Sequence, residues 1–466
     1  MRCFVVHSNK IEERIDPFYY QPEFVKQSES LGSNTKAIRE IAKVICGPFG
    51  SSITVKDYSN NGIPLIRICN IKDGELNTEN IVFITKELAN KLKSYAVKEG
   101  DLIISQRGTL GLVAKIPLAF NNAVISANFI AIKDITKISP EFLQFYLSSA
   151  QGQLQITRRT SGQVQTKITT DDIKSIKVPM LQSQLQNRIV LIMQSAYTQK
   201  KQKEQEAQQL LGSINNYVLD ELGIQFSESE IEEDKIYCVD SEELENRRYD
   251  PYYFNPKFIR LLADLEKSKI KFAPLKEVAT ELFNGKTPAK EDYAEEGNFI
   301  LKVSCLKNNK IVWDKLSFVK NTVPLVKAVK DKDILLLSSA HQSDYLGKNP
   351  SIVEKPNNLI NEKIYFVGEL INIRPNIKKI NPYYLLAILK LNKYYLLVNR
   401  EKRGQTSHLY PDDLGNVKIP LPLLAVQNKI AEEVKSRMQK AEQLQKESKE
   451  ELEKAKQEVE KLILGE

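Results

Sequence analysis

At 466 residues the chain exceeds what one hydrophobic core organises, so two to four domains are expected. No apolar run approaches the length of a membrane span, and five cysteines without a CxxC pair (Cys3, Cys46, Cys69, Cys238, Cys305) fit neither a zinc knuckle nor a disulfide framework. A net charge of +8 permits a polyanionic partner without demanding one, and the early charges of MRCFVVHSNKIEER argue against a secretory signal, so a reducing cytoplasm is expected.

In chain order the first clear phrase is Arg14-Ile-Asp-Pro-Phe-Tyr-Tyr-Gln-Pro-Glu-Phe24. Next, Ile63-Pro-Leu-Ile-Arg-Ile-Cys-Asn-Ile71 before Asp73-Gly74 reads as a strand running into a tight turn. Residues 82–84, 102–105, 112–114 and 129–132 read as further short strands punctuated by glycines. Pro140-Glu-Phe-Leu-Gln-Phe-Tyr-Leu147 reads as a short helix begun by proline. The phrase Ser161-Gly-Gln-Val-Gln-Thr-Lys-Ile-Thr-Thr-Asp-Asp-Ile173 and Lys177-Val-Pro179 then lead into a long helix over 184–222. On it Leu185, Ile189, Ile192 and Ala196, then Ala207, Leu211, Ile214 and Val218, fall on one face, interrupted by a Gln/Lys-rich run at 199–206. Such a rod is roughly 58 Å long at 1.5 Å per residue.

An acidic joint, Ser227 to Lys235, follows, and the chain then repeats itself. Arg248-Tyr-Asp-Pro-Tyr-Tyr-Phe-Asn-Pro-Lys-Phe258 returns the first phrase 234 residues on. Strands are expected at 299–303, 333–337 and 363–367, and Pro382-Tyr-Tyr-Leu-Leu-Ala-Ile-Leu389 repeats the short helix. Arg403-Gly-Gln-Thr-Ser-His-Leu-Tyr-Pro-Asp-Asp-Leu414 and Lys418-Ile-Pro420 repeat the approach to a second long helix over 425–463. There Val434, Met438, Ala441, Gln445, Ser448, Leu452, Ala455, Val459 and Leu462 form a heptad seam with a polar middle. The chain is therefore a tandem duplication of a globular part and a rod. Each globular part is expected to be a mixed α+β domain with a twisted, mainly antiparallel sheet. The expected boundaries are a first domain at 1–180, a helix at 181–226, a second domain at 227–422 and a closing helix at 423–466. Equivalent helices of a two-fold duplication run antiparallel. The frames are kept between the copies while the intervening loops diverge, which suggests one architecture carrying two different reading surfaces.

The phrases GIPLIRICNIKDGEL (62–76) and EGDLIISQRGTLG (99–111), and the doubled approach to helices beginning Gln186-Asn-Arg-Ile189 and Gln427-Asn-Lys-Ile430, carry a resemblance. With them the chain resembles the specificity (S) subunit of type I restriction–modification enzymes over nearly its whole length. The second copy departs most, with Lys332-Asp333-Ile334 for the Gly-Asp-Leu phrase and no Arg-Gly-Thr loop. The resemblance implies two tandem target recognition domains separated by two long antiparallel helices, each domain reading half of a split double-stranded DNA site. It implies docking of two copies of an adenine methyltransferase (M) subunit, with restriction/translocase (R) subunits joining through them, and no chemistry on the chain itself. Differing halves imply an asymmetric bipartite site, and domains a helical turn apart, about 34–36 Å, reach successive major grooves.

Asp16-Pro-Phe-Tyr19 and Asp250-Pro-Tyr-Tyr253 resemble the D-P-P-Y motif of amino-methyltransferases, but no F-x-G-x-G loop accompanies them, so a structural turn is the better reading. Glu233-Asp-Lys235 lacks the Pro-Asp of a nuclease motif, no phosphate-binding loop occurs, and His7, His341 and His408 lack metal-ligand spacing. No catalysis, cofactor or metal is expected. Arginine suits guanine, glutamine suits adenine and lysine suits phosphate. The candidate DNA contacts are thus Lys56, Arg107, Thr109, Arg158, Arg159, Gln163, Gln165 and Lys167 in the first copy. In the second they are Lys286, Thr287, His341, Gln342, Arg400, Arg403, Gln405, Ser407 and His408. Two other functions compete: a scaffold of a related phage-defence complex, and an adenine-N6 DNA methyltransferase in its own right, the latter disfavoured by the missing cofactor loop.

Overall fold

A computed structural model describes residues 11, 15–72, 74–160, 167–227, 236–240, 248–307, 310–325, 327–404 and 407–465. The chain divides into two compact units, Met1–Glu204 with Lys446–Glu466, and Gln205–Gln445. Each therefore contains part of both long helices.

In the first unit the strands are β1 (Thr35–Ala37), β2 (Lys43–Cys46), β3 (Ile63–Ile66), β4 (Ile71–Lys72), β5 (Glu75–Leu76), β6 (Val82–Ile84), β7 (Leu102–Ser105), β8 (Val113–Lys115), β9 (Val124–Ile125), β10 (Phe129–Lys133) and β11 (Lys177–Pro179). The central sheet has the order β2-β10-β7-β8 and is antiparallel throughout. Its two middle strands are buried on both faces, which is why they read as continuous apolar runs rather than alternating ones. Leu102, Ile104, Ile130 and Ile132 pack on the helical side, while Ile103, Phe129 and Ala131 join Ile66 and Ile125 in a second core. A smaller sheet, β6-β3-β9, contains a parallel pair, Leu65 opposite Val124. The single sheet expected from the sequence is thus several, one of them mixed. The expected strand over 63–71 also breaks: Asn70, fully buried, accepts the Arg67 amide with its side-chain Oδ1 at 3.0 Å and turns residues 68–70 into a 3₁₀ turn.

The helices here are α1 (Pro22–Ser30), α2 (Lys86–Lys91), α3 (Pro140–Ser148), α4 (Ala150–Arg158), α5 (Thr170–Lys174) and α6 (Ser183–Leu222). The expected proline-started helix is α3, with Pro140 in its first turn and the Ser139 hydroxyl accepting the Phe142 amide at 3.0 Å. The long helix α6 lies within one residue of expectation.

The second unit repeats the plan with β12 (Phe272–Pro274), β13 (Ala279–Asn284), β14 (Tyr293–Ala294), β15 (Asn298–Leu301), β16 (Leu306–Lys307), β17 (Lys310–Ile311), β18 (Ser317–Val319), β19 (Ile334–Leu337), β20 (Ser351–Ile352), β21 (Ile364–Phe366), β22 (Leu370–Pro375) and β23 (Lys418–Pro420). Its helices are α7 (Pro256–Glu266), α8 (Leu275–Val278), α9 (Pro382–Lys390), α10 (Asn392–Arg400), α11 (Pro411–Leu414) and α12 (Leu424–Leu464). The order β13-β22-β19-β20 matches the first central sheet strand for strand and continues through the hairpin β17-β16. The pair β12-β23 matches β1-β11, and β18-β15-β21 matches β6-β3-β9, including the parallel pair. The duplication read from two phrases therefore extends to the order of the shared strands, while β14 and the attachment of the β16-β17 hairpin to the central sheet are particular to the second unit.

Within each unit the segments of α6 and α12 run antiparallel. In the first, Ile189, Met193 and Ala196 share a core with Leu452, Val459 and Ile463, and Lys203 bridges Glu447 and Glu451, each at 2.7 Å. In the second, Glu221 meets Lys429 at 2.8 Å, and Arg437 donates to the Ser213 hydroxyl at 2.9 Å. The seam of α12 departs from expectation at Gln445, which is exposed, and at its end, where Ile463 rather than Leu462 is buried. On α6, Leu211 is likewise exposed.

Candidate nucleic-acid interface

The order of the central sheet decides where the polar loops lie. In an antiparallel β2-β10-β7-β8 arrangement, the ends of β2 and β7 and the starts of β10 and β8 share one edge. Two of the loops singled out in the sequence leave from this edge, and the end of a third is brought to it. Gly47 donates to the Phe129 carbonyl at 2.8 Å, and a Cβ there would lie 2.3 Å from the Ser126 carbonyl oxygen, so only glycine permits the approach. Gln106 is buried, and its Nε2 donates to the Ala127 carbonyl at 2.7 Å and the Phe129 carbonyl at 3.3 Å. Its own carbonyl accepts the Ile168 amide at 3.3 Å, which brings Lys167 to the same edge. Ser105 closes the turn between, donating to the Thr109 carbonyl at 2.5 Å and accepting the Leu112 amide at 2.8 Å. Gly108 and Gly111, at φ of 73° and 77°, make that turn possible. The result is a braced loop that presents Arg107, Gly108 and Thr109 to solvent. Lys56 stands exposed on a self-capped turn in which Asp57 accepts the Thr54 amide at 2.7 Å and its hydroxyl at 2.8 Å. These two bonds hold the Asp57 carboxyl below its ordinary pKa.

The second unit builds the same edge with other residues. Gly285 occupies the place of Gly47: it donates to the Leu370 carbonyl at 3.2 Å, and a Cβ would lie 2.1 Å from the Phe366 carbonyl oxygen. Ser338 donates through its amide to the Glu369 carbonyl and accepts the Leu409 amide with its own, at 2.8 and 2.9 Å. Lys286, His341 and Gln342 are exposed there. Thr287 is exposed but already committed, donating to Glu369 Oε2 at 2.5 Å and accepting the Gly368 amide at 2.8 Å. Arg403 and His408 exchange backbone hydrogen bonds of 2.8 and 2.7 Å, which closes a small loop through Ser407. Gln163, Gln165 and Gln405 lie outside the described residues.

Four candidate arginines are placed otherwise. Arg158 and Arg159 are only 3% and 4% exposed. The Arg158 guanidinium lies 3.8 Å from the Tyr19 ring centroid and its Nε donates to the Tyr19 carbonyl at 2.8 Å. Arg159 donates to the Ser175 hydroxyl at 2.7 Å and the Gln155 carbonyl at 3.1 Å. Arg400 repeats the arrangement, 3.6 Å from the Tyr253 ring centroid with its Nε on the Tyr253 carbonyl at 2.9 Å. Arg403, though exposed, is paired with the buried Asp413 carboxylate. In all four the guanidinium group is engaged by the protein's own groups, within the structure for Arg158, Arg159 and Arg400 and at the surface for Arg403. The same contacts explain the doubled Asp-Pro phrase, in which Asp16 and Asp250 accept the Tyr19 and Tyr253 amides at 3.1 and 2.9 Å. Each phrase is a strap that an arginine from the end of α4 or α10 clamps through its tyrosine. In the second unit Arg248 also reaches Tyr253, 3.9 Å from its centroid, and pairs with Glu401 at 3.1 Å. Burial pushes the Glu401 carboxyl up to about 7, against the pull of Arg400 and Arg248.

The sequence flagged the doubled Gln-x-x-Ile phrase without its role. Gln186 accepts the Ser139 amide at 3.0 Å and donates to the Leu181 carbonyl at 2.8 Å; Gln427 does the same to Asn381 and Pro422 at 2.9 Å each. Each glutamine thus ties the first turn of a long helix to the cap of α3 or α9. Among the described residues no acidic, histidine or cysteine cluster is arranged to hold a metal, and no helix is long and apolar enough to cross a membrane.

A family model described as the type I restriction modification DNA specificity domain matches the chain twice, over residues 31–211 and 267–454. The chain belongs to this specificity family. Over 160 residues it is 25% identical to the type I restriction enzyme EcoBI specificity subunit of Escherichia coli, a match covering 34% of each chain. Over 169 residues it is 29% identical to the putative type I restriction enzyme MjaX specificity subunit of Methanocaldococcus jannaschii, covering 34% of this chain and 36% of that one. The matched stretch thus spans about a third of the length of these curated relatives. A solved structure reported for complex assembly and conformational transition of the type I R-M system is 17% identical at a TM-score of 0.53, covering 92% of this chain and 97% of that chain. It has the same fold.

Proposed function

We propose that the chain is a non-catalytic, sequence-specific DNA-recognition subunit that directs a type I restriction–modification complex to an asymmetric bipartite site in double-stranded DNA. Two target recognition domains, 1–180 and 227–422, each read one half-site, and the helices at 181–226 and 423–466 set the spacing between them. Two adenine methyltransferase subunits dock on the chain, and restriction/translocase subunits join through them, in the cytoplasm. The observation that carries this reading is the repetition of one strand order whose reading edges differ in chemistry: Lys56, Arg107, Thr109 and Lys167 on one, Lys286, His341 and Gln342 on the other. One scaffold with two unlike polar edges is what an unsymmetrical double-headed reader requires.

Tagging the chain in its own host and identifying what co-purifies tests the proposal. Two copies of an adenine methyltransferase per tagged chain are expected, with a helicase-like nuclease where restriction accompanies modification. A chain that purifies alone, or with unrelated proteins, contradicts it.

A further inference from the structure

The loop between β2 and the first reading turn carries two apolar side chains that the protein does not cover. Phe49 is 84% exposed and Val55 is 77% exposed. Neither sits on a loose segment. Gly47 and Pro48 are buried, and the Gly47 amide is fixed to the Phe129 carbonyl at 2.8 Å. The Phe49 carbonyl accepts the Ser52 amide at 2.8 Å, and Val55 opens the turn closed by the Thr54–Asp57 bonds. A hydrogen-bonded loop that holds a phenyl ring and an isopropyl group in water forgoes the gain that burying each side chain brings, and such pre-organisation favours a ligand.

The surroundings say what kind of ligand. The loop leaves the same sheet edge as Arg107 and Lys167, with Lys56 next to Val55 in the chain. Among the described residues none of these three cations has a carboxylate partner within ion-pair distance. Apolar side chains on a loop that shares its sheet edge with cations lacking carboxylate partners suit a base edge flanked by phosphates. On a major-groove edge the apolar group is the 5-methyl of thymine. In the second unit the residues after Gly285 are Lys286 and Thr287, so the feature belongs to one half only.

We propose that Phe49, assisted by Val55, is the contact through which the first unit reads the methyl group of a thymine in its half-site. The inference rests on the DNA-recognition reading above. Its test uses the purified complex of the full chain with its methyltransferase subunits, and duplexes carrying the sequence that the complex methylates. The relevant half-site is the one whose preference Arg107→Ala alters. Each thymine there is replaced in turn by deoxyuridine, which lacks only the methyl. One replacement is expected to weaken wild-type binding about fourfold, the worth of one methyl group removed from water. Phe49→Ala is expected to bind the thymine duplex at least that much more weakly and to be indifferent to the replacement, with the other half-site read as before. Phe49→Leu is expected to keep the thymine preference.

Undiminished discrimination by Phe49→Ala, equal weakening on every duplex, or a half-site with no thymine overturns the assignment. So does loss of the methyltransferase subunits from Phe49→Ala, which would make the ring a protein–protein contact. Absence of any sequence preference in the wild-type complex overturns the recognition reading itself. Wild-type discrimination that Phe49→Ala preserves overturns the Phe49 assignment alone.

Discussion

Gln106 commits its amide to the Ala127 and Phe129 carbonyls, while Arg107, the next residue, faces solvent with no side-chain partner among the described residues. Arg107→Ala is therefore expected to relax the preference at one position of one half-site, by about 1–3 kcal/mol of discrimination, and to leave the fold and the other half-site unchanged. Sequencing the methylated sites of the variant checks this, and an unchanged set of sites counts against it. Glu401 supplies a pH signature. Its carboxyl is raised from 4.5 to about 7 in the folded chain, so the folded state binds the proton more tightly than the unfolded one. Stability from this group is full below about pH 4.5 and is lost as pH rises to 7. Glu401→Gln should remove that component, and the difference between wild-type and variant melting temperatures across this range measures it. No sequence pattern separated Arg107 from Arg158 or Arg400. The difference is a tyrosine brought from 139 or 147 residues away in the chain, as the hydrogen bonds to Tyr19 and Tyr253 record.

The long helices were legible because apolar spacing is a local signal, and both ends fell within a residue of expectation. The expected strand over 63–71 was not, because a single buried Asn70 outweighs the β-propensity around it. The proposed reading edge was half legible: glycine-punctuated polar loops were visible, but their convergence depends on the strand order β2-β10-β7-β8, which no periodicity reveals. Gln186 and Gln427 lie at the junction of element and core. Replacing the buried Gln427 by alanine leaves the half-buried Asn381 amide and Pro422 carbonyl without this partner, and a loss of about 1–3 kcal/mol is expected. For a unit of this size that is a fall of several degrees in melting temperature, read by calorimetry. Gln186→Ala should do the same to the first unit through Ser139 and Leu181.

At the scale of the whole molecule, duplication is the governing fact. Two phrases repeated in the sequence became two matching strand orders, and the specificity-family model covers both copies. What the copies share holds the fold: the Asp-Pro strap with its arginine clamp, the close-approach glycines Gly47 and Gly285, and the paired glutamines. What they do not share is the chemistry of the exposed edge. Replacing residues 1–180 by the corresponding domain of another specificity subunit should accordingly change one half of the recognised sequence and leave the other half in place.

The most direct measurement is to map methylated adenines across the host genome with the gene for this chain intact and deleted. The account predicts one asymmetric sequence of two defined halves around an undefined spacer, methylated at essentially every occurrence and unmethylated after deletion. Methylation that persists without the chain, or that follows a single uninterrupted or palindromic sequence, would contradict it.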